Sequence, residues 1–279
     1  MSITLTPLAN ALGVAVEGLD LARPIASETA DRLRAAWSQH HLLLLRGQDI
    51  SEDQQVAFAT LFGPVSHRGA YMKDRQASHV SNVRADGILG GGVLHFHSDH
   101  TFFVRPLKAI CLYAIDVPPS GGDTLFANAI LAYRNLPQDL KARIDDLISV
   151  QLFDYTGDYN RRTLLDDAPA DAPRCDHPLV KTDESSGEKI LFIHEHTTAA
   201  IHGLDHDAVD ALLVDLMPYL NDPGIGYRHC WSPGDVLLWN NMTLQHARTD
   251  FDPRQARTLR RVPIAVSEAE ANDATATVV

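Results

Sequence analysis

The order of apolar and polar positions divides this chain into many short elements. Between Ile3 and Leu19, Val14 and Val16 alternate with smaller or polar neighbours, which predicts short strands. Ser27, Glu28 and Asp31 open a helix that runs to about His40 and sets Leu33 and Trp37 one turn apart on one face. The segment from His41 to Gly47 carries four consecutive leucines closed by glycine, the pattern of a strand buried on both faces. Ser51 is placed to cap a second helix reaching Phe62, ahead of the break at Gly63-Pro64.

Further along, apolar runs at 109–117, 123–128, 147–155, 179–182, 189–193, 226–231 and 236–239 read as strands. Turn-forming stretches such as 118–122 and Ser185-Ser186-Gly187 separate them, and helical inserts are expected at about 129–144 and 205–220. Regular strand–helix alternation is absent, as is a glycine-rich phosphate loop, which argues against a nucleotide-binding α/β fold. Many short strands predict a mainly β barrel or jelly roll with helical decoration. No repeat or flexible linker divides the chain, so one domain is expected over 1–266. Residues 267–279 are small, acidic and free of aromatics, and a disordered tail is expected there.

Charge narrows the function. Lys and Arg total 24 against 36 Asp and Glu, a net charge of −12, which speaks against nucleic-acid partners and an anionic membrane surface. No apolar run approaches the roughly 18–20 residues of a spanning helix, and no signal-peptide pattern leads the chain. Cys111, Cys175 and Cys230 are too scattered to imply a disulfide framework. A reduced, cytoplasmic protein is the expectation.

Histidine, present 14 times, supplies the candidate chemistry. On a strand, His97 and Asp99 point to one face, as two ligands of a 2-His-1-carboxylate metal site do. His95 shares that face and competes with Asp99. About two His-x-acid matches arise by chance in a chain of this composition, so the motif needs context. An apolar strand from Gly234 runs into a polar turn and delivers His246, a plausible third ligand. Eleven residues later, Arg257 opens a basic cluster with Arg260 and Arg261, suited either to gripping a carboxylate or to balancing surface charge. The turn Gly121-Gly122-Asp123-Thr124 presents a hydroxyl. At this level two readings stay open: an iron enzyme, or a cupin-like metal-dependent hydrolase or isomerase using His95, His97 and His246.

The order of the motifs adds a resemblance. Asp20 to Pro24, Leu44 to Gln48, Phe62-Gly63-Pro64, His97 to Phe102, Gly121 to Leu125, His177 to Val180, Trp239-Asn240-Asn241, His246 and the arginines beyond it stand in a characteristic sequence. From about Ile3 to Ala265 the chain resembles the taurine/2,4-dichlorophenoxyacetate family of Fe(II)- and 2-oxoglutarate-dependent dioxygenases. The resemblance implies a double-stranded β-helix, or jelly roll, with Fe(II) held by His97, Asp99 and His246. It implies that Arg257 grips the distal carboxylate of 2-oxoglutarate with Thr124 as hydroxyl partner, and that O2 takes a remaining iron position. The implied reaction hydroxylates an aliphatic C–H and releases succinate and CO2; retention of Asp99 favours hydroxylation over halogenation. Relatives form dimers or tetramers, so a homo-oligomer is expected.

Departures bear on the substrate. The family's Trp-Asp-Asn reads Trp239-Asn240-Asn241, a change expected to touch a supporting hydrogen bond and not the ligand set. His196 stands where taurine enzymes carry an aromatic residue, and only His67 follows Gly63 where they carry two close histidines, so taurine is not carried over. His67, His196 and Arg261, with Asn82 on a nearby strand, are expected to serve a small anionic substrate. His202 and His206 have the spacing of a zinc pair, but Gly203 between them disfavours a helix.

Overall fold

The four leucines at 42–45 form one strand, and every one of their side chains is buried. The computed structural model, which describes residues 3–68, 72, 75–153 and 162–271, sets that strand inside an eight-stranded sheet. In chain order the elements are β1 (Thr4–Pro7), β2 (Val14–Glu17), α1 (Ser27–His40), β3 (Leu42–Leu45), α2 (Glu52–Ala59), β4 (Ser78–Ser81), β5 (Gly87–Ile88), β6 (Leu94–His97), β7 (Ala109–Asp116) and β8 (Thr124–Asn128). Then come α3 (Ala129–Asn135), α4 (Gln138–Ile144), β9 (Ile148–Leu152), β10 (Arg174–Pro178), β11 (Val180–Thr182), β12 (Lys189–Leu191) and β13 (Thr198–Ile201). The last are α5 (His206–Leu220), β14 (Gly226–His229), β15 (Val236–Asn240), β16 (Leu244–Arg248), β17 (Thr258–Ile264) and α6 (Glu268–Ala271).

The larger sheet has the order β1-β2-β3-β15-β7-β17-β4-β5, and a four-stranded sheet has the order β14-β8-β16-β6. Strand alternation sorts the core into layers. Leu42, Leu44, Ile110, Leu237 and Trp239 point inward to meet Phe126 and Leu244 of the smaller sheet. Leu43, Leu45, Cys111 and Leu238 point outward and pack beneath Leu33 and Trp37 of α1 and Phe58 of α2. A strand covered on both sides has no polar face, which is why its sequence is continuously apolar. Another cluster joins α3 and α5 to β12 through Ile130, Leu191, Leu212 and Leu216.

Most expected elements occur, with informative differences at their ends. Ser51 caps α2 and forms a reciprocal capping box with Gln54, whereas Ser27 is the first helical residue of α1 and Ala26 holds the cap position without a side-chain bond. The helix expected over 129–144 is two helices. Leu136 precedes Pro137, is pushed into an extended conformation, and so separates α3 from α4. β9 covers the centre of the strand expected at 147–155; residues 154 and 155 lie outside the described residues. Order also extends into the segment expected to be a disordered tail. Residues 268–271 are helical, Ala271 is buried, and its carbonyl accepts the His67 N–H at 2.8 Å. Residues 272–279 lie outside the described set.

Leu44→Ala removes a fully buried side chain between the two sheets and is expected to cost about 2–5 kcal/mol. Urea unfolding with an unchanged m-value checks this.

Candidate metal centre

β6 and β16 are antiparallel neighbours, and their register sets His97 opposite His246, with ring centroids 4.2 Å apart. Asp99 joins them by a route the strand pattern did not anticipate. β6 ends at His97, and Asp99 lies in the turn beyond it, where His100 adopts a left-handed conformation at φ 61°. The turn brings Asp99 Oδ1 to 3.4 Å from His97 Nε2 and 3.9 Å from His246 Nε2. Among the described residues this is the only group of three metal-type side chains whose donor atoms lie within 4.8 Å of one another.

His95 falls outside that group. Its Nδ1 faces Glu195 Oε2 at 3.3 Å and its ring stacks on His196, while its carbonyl accepts a hydrogen bond from His97 Nδ1 at 2.7 Å. A carbonyl only accepts, so the proton of His97 sits on Nδ1 and the Nε2 lone pair is left for a metal. Burial and the nearby His97 push the pKa of His246 down to about 3, so its ring is neutral at physiological pH. Burial works to raise the pKa of Asp99, but the Arg261 cation and the adjacent His97 and His246 rings outweigh it and hold the carboxyl well below its ordinary range.

Asp99 is gripped at both its backbone and its side chain. Arg261 donates to Oδ2 at 2.6 Å, leaving Oδ1 toward the histidines. Asn241, fully buried, accepts the Asp99 N–H at 2.8 Å and donates to the Asp99 and Leu107 carbonyls at 3.0 and 2.9 Å. Its neighbour Asn240 accepts the backbone N–H groups of Met242 and Thr243, an acceptor role that a carboxylate at that position would also fill. The turn after Asp99 is braced by His177, whose Nε2 donates to the carbonyls of Thr101 and Phe103 while Nδ1 accepts from Lys181.

Thr124, the first residue of β8, and Arg257, just before β17, line the same cavity as His97, Asp99 and His246. Arg257 is positioned by its Nε donating to the Gly122 carbonyl at 3.0 Å and its N–H donating to Asn82 Oδ1 at 2.9 Å. Gly122 sits at φ 66°, and a Cβ there would lie 2.9 Å from Arg257 Nε, so both backbone and space demand glycine. Burial, followed by repulsion from Arg248, pushes the Arg257 pKa down to about 9 against the pull of Asp123. Asp123 is itself paired with Arg228 at 2.6 Å. A buried guanidinium with no carboxylate in ion-pair contact among the described residues is suited to receive one from a ligand.

The basic cluster read from the sequence thus divides. Arg257 and Arg261 face the cavity; Arg260 turns to the opposite face of β17, over Tyr113 and onto Gln55 and the start of α2. Arg254 pairs with Asp252 at the surface. Other expected residues stand elsewhere. The Asn82 amide is committed to the backbone of 253–257, donating to Pro253 and Gln255 as well as accepting from Arg257. His67 Nδ1 bonds the Arg75 carbonyl, and His196 is buried against His95; neither lines the ligand cavity. His202 and His206 pair separately with Asp176 and Asp166. The sequence reading missed Asn241 as a brace, Arg248, whose guanidinium gathers the carbonyls of Leu89, Gly91 and Gly92, and Arg68, buried over the Phe103 ring. Asn241 was visible within its motif, whereas a lone Arg in a mixed segment carries no pattern.

Residues 4–262 match the family described as "Taurine catabolism dioxygenase TauD, TfdA family". The chain belongs to this family. It is 32% identical over 284 residues to the alpha-ketoglutarate-dependent 2,4-dichlorophenoxyacetate dioxygenase of Cupriavidus pinatubonensis, covering 94% of this chain and 97% of the relative. It is 30% identical to the alpha-ketoglutarate-dependent sulfate ester dioxygenase of Pseudomonas putida, covering 95% of this chain and 90% of that one. Among solved structures, AAD-2 in complex with Mn(II) and N-oxalylglycine superposes with a TM-score of 0.80 at 29% identity, over 96% of this chain and 99% of that one. A taurine dioxygenase from Burkholderia xenovorans superposes with a TM-score of 0.76 at 26% identity, over 95% and 91%. The protein is therefore an alpha-ketoglutarate-dependent dioxygenase with a mainly β, jelly-roll fold, and its family implies a metal and 2-oxoglutarate. The residues present fit both. Two imidazole nitrogens and an ionised carboxylate suit a divalent cation, and an undercompensated guanidinium in a cavity with a hydroxyl suits an acid. No helix among the described residues is long and apolar enough to cross a membrane.

Two outcomes are expected of the supporting residues. Asn241→Ala leaves the Asp99 backbone unheld and should weaken Mn(II) binding by about 10- to 100-fold in a metal titration. Burial, then Lys181, lowers the His177 pKa to about 4 from its ordinary 6.5, so the unfolded chain binds the extra proton between those values. This residue's contribution is therefore complete above about pH 6.5 and declines as pH falls toward 4, by up to about 1.4 kcal/mol per pH unit. Urea unfolding at pH 7.5, 6 and 5 should show that slope, and His177→Asn should flatten it.

Proposed function

We propose that this enzyme is an Fe(II)- and 2-oxoglutarate-dependent dioxygenase that hydroxylates an aliphatic C–H of a small anionic organic substrate, consuming O2 and releasing succinate and CO2. The observation that supports this reading is that one cavity holds both the His97–Asp99–His246 cluster and the Arg257–Thr124 pair. A hydrolase or isomerase on such a barrel has no need of the second pair, and the alternative ligand His95 is directed to Glu195.

When bound, iron and 2-oxoglutarate supply O2 activation coupled to oxidative decarboxylation. The chain supplies the rest. His97 and His246 offer their Nε2 atoms and Asp99 a single free oxygen, since Arg261 occupies the other. Arg257 pairs with the distal carboxylate of 2-oxoglutarate, Thr124 donates a hydroxyl proton to it, and Asn82 keeps Arg257 in place. Ile110, Leu112, Leu259 and Trp239 give the cavity an apolar wall that excludes water and limits side reactions.

Positive charge beside Asp99 and the relatives' substrates support an anionic substrate. Arg261 and Arg68 are both buried, and both act electrostatically to disfavour protonation of His100, which follows Asp99 directly. Relatives named for 2,4-dichlorophenoxyacetate, (S)-phenoxypropionate and sulfate esters act on compounds that share an anionic group, in keeping with this reading.

Anaerobic addition of Fe(II) and 2-oxoglutarate should produce a visible metal-to-ligand charge-transfer band. His97→Ala should abolish it. Arg257→Ala should weaken 2-oxoglutarate binding by about 10- to 100-fold while leaving iron binding within about twofold. Absence of the band in the unaltered enzyme overturns the reading. Where the band forms, succinate release across carboxylates, sulfonates and sulfate esters identifies the substrate class.

A further inference from the structure

Behind Thr124 stands an aromatic residue that does not line the cavity and that the proposed reaction leaves without a role. Trp231 lies two residues beyond β14, and its indole Nε1 donates to Thr124 Oγ1 at 3.0 Å. Thr124 is buried and lines the same cavity as Arg257. A threonine hydroxyl has one proton to give and two lone pairs to offer, whereas an indole nitrogen can only donate. The contact with Trp231 therefore makes Thr124 an acceptor on that side. No other side-chain hydrogen bond of Thr124 occurs among the described residues, so its own proton is available to the cavity.

The indole is not free to turn away. Its ring meets the buried His229 edge to face, with centroids 4.5 Å apart and planes at 88°. His229 stands opposite Thr124 in the β14–β8 register, and its Nε2 lies 3.1 Å from Asp235 Oδ2. The same carboxylate oxygen accepts from Arg46 at 2.8 Å and from the backbone N–H of Ser232, the residue after Trp231, at 3.0 Å. Tyr227 holds the far side of His229 through its hydroxyl at 3.1 Å. The loop bearing Trp231 is thus tied to a buried charged group on one side and to the cavity hydroxyl on the other.

The geometry points to Trp231 as a positioning residue that fixes Thr124 as a donor toward the cavity, so that the Arg257 end of the site selects an ionised carboxylate. This rests on the reading that Arg257 and Thr124 receive 2-oxoglutarate. A carboxylate is acceptor-only when ionised, and it gains most from a hydroxyl whose proton is already aimed at it. The indole N–H also polarises the hydroxyl and strengthens its donation. Without the indole, the hydroxyl can rotate and must be reoriented when the acid arrives.

The test is a double-mutant cycle on Mn(II)-loaded protein, titrated calorimetrically with 2-oxoglutarate and with N-oxalylglycine. Trp231→Phe is expected to weaken binding of both about three- to tenfold in the native background and to have no further effect in Thr124→Val. Mn(II) affinity should stay within about twofold in every variant. Replacing Trp231 with benzothienylalanine, which keeps the bicyclic shape but lacks the N–H, should reproduce the loss without disturbing the fold. Unchanged affinity in the benzothienylalanine protein, or an equal loss in both Thr124 backgrounds, overturns the proposal. Arg257→Ala separates this result from the parent reading. If it weakens 2-oxoglutarate while the Trp231 variants do not, the positioning role fails alone; if it too has no effect, the assignment of this end of the cavity fails with it.

Discussion

A carboxylate taken out of water between two apolar sheets has to be compensated from several sides, and the surroundings of Asp99 are organised by that requirement. Arg261 supplies a full positive charge at 2.6 Å to one oxygen, and two histidine nitrogens approach the other. Burial alone would drive the group toward protonation, which would cost it its value as a metal ligand. The backbone is secured as firmly as the charge. Asn241 reads both the N–H and the carbonyl of Asp99, and His177 holds the carbonyls two and four residues further on. Such bracing matters because Asp99 lies on a turn and not on a strand, so sheet hydrogen bonds cannot place it.

The cavity cations differ in how they are compensated, and that difference separates their uses. Arg261 is paired with Asp99 at the end of the cavity that holds the His97–Asp99–His246 cluster. Arg248 is surrounded by the carbonyls of the 89–92 loop, which makes it a fastener for the wall. Arg257 has one carbonyl on Nε, no carboxylate in ion-pair contact among the described residues, and a neighbouring like charge that makes it costlier still. An incoming acid relieves that cost. The strongly acidic composition of the whole chain coexists with this cationic interior because its acids, such as Asp123 with Arg228, serve partners elsewhere.

Much of the architecture was legible in local pattern. The leucine run at 42–45, the capping box at Ser51 and Gln54, and the strands at 109–116 and 236–240 follow from periodicity and propensity, which act over a few residues. β17 was less visible as a strand because arginines interrupt it, and its two faces serve different ends. Arg261 points into the cavity, while Arg260 points out to α2. Alternation distinguishes the two only once the strand is recognised. The helix expected across Pro137 divides for a local reason, the restriction proline places on the residue before it.

The amino-acid sequence by itself determined the fold class and the family and pointed to candidate ligand residues, because those depend on residue kind, order and spacing. Convergence was decided elsewhere. His97 and His246 are far apart in the chain and meet through the β6–β16 register; Asp99 joins them through a left-handed turn. Asn82 became a support for Arg257 and Trp231 a partner of Thr124 only when separate strands were brought side by side. Hydrogen bonds and buried charges act over a few ångströms in space, with no regard for distance along the chain, so their pairing belongs to the tertiary structure.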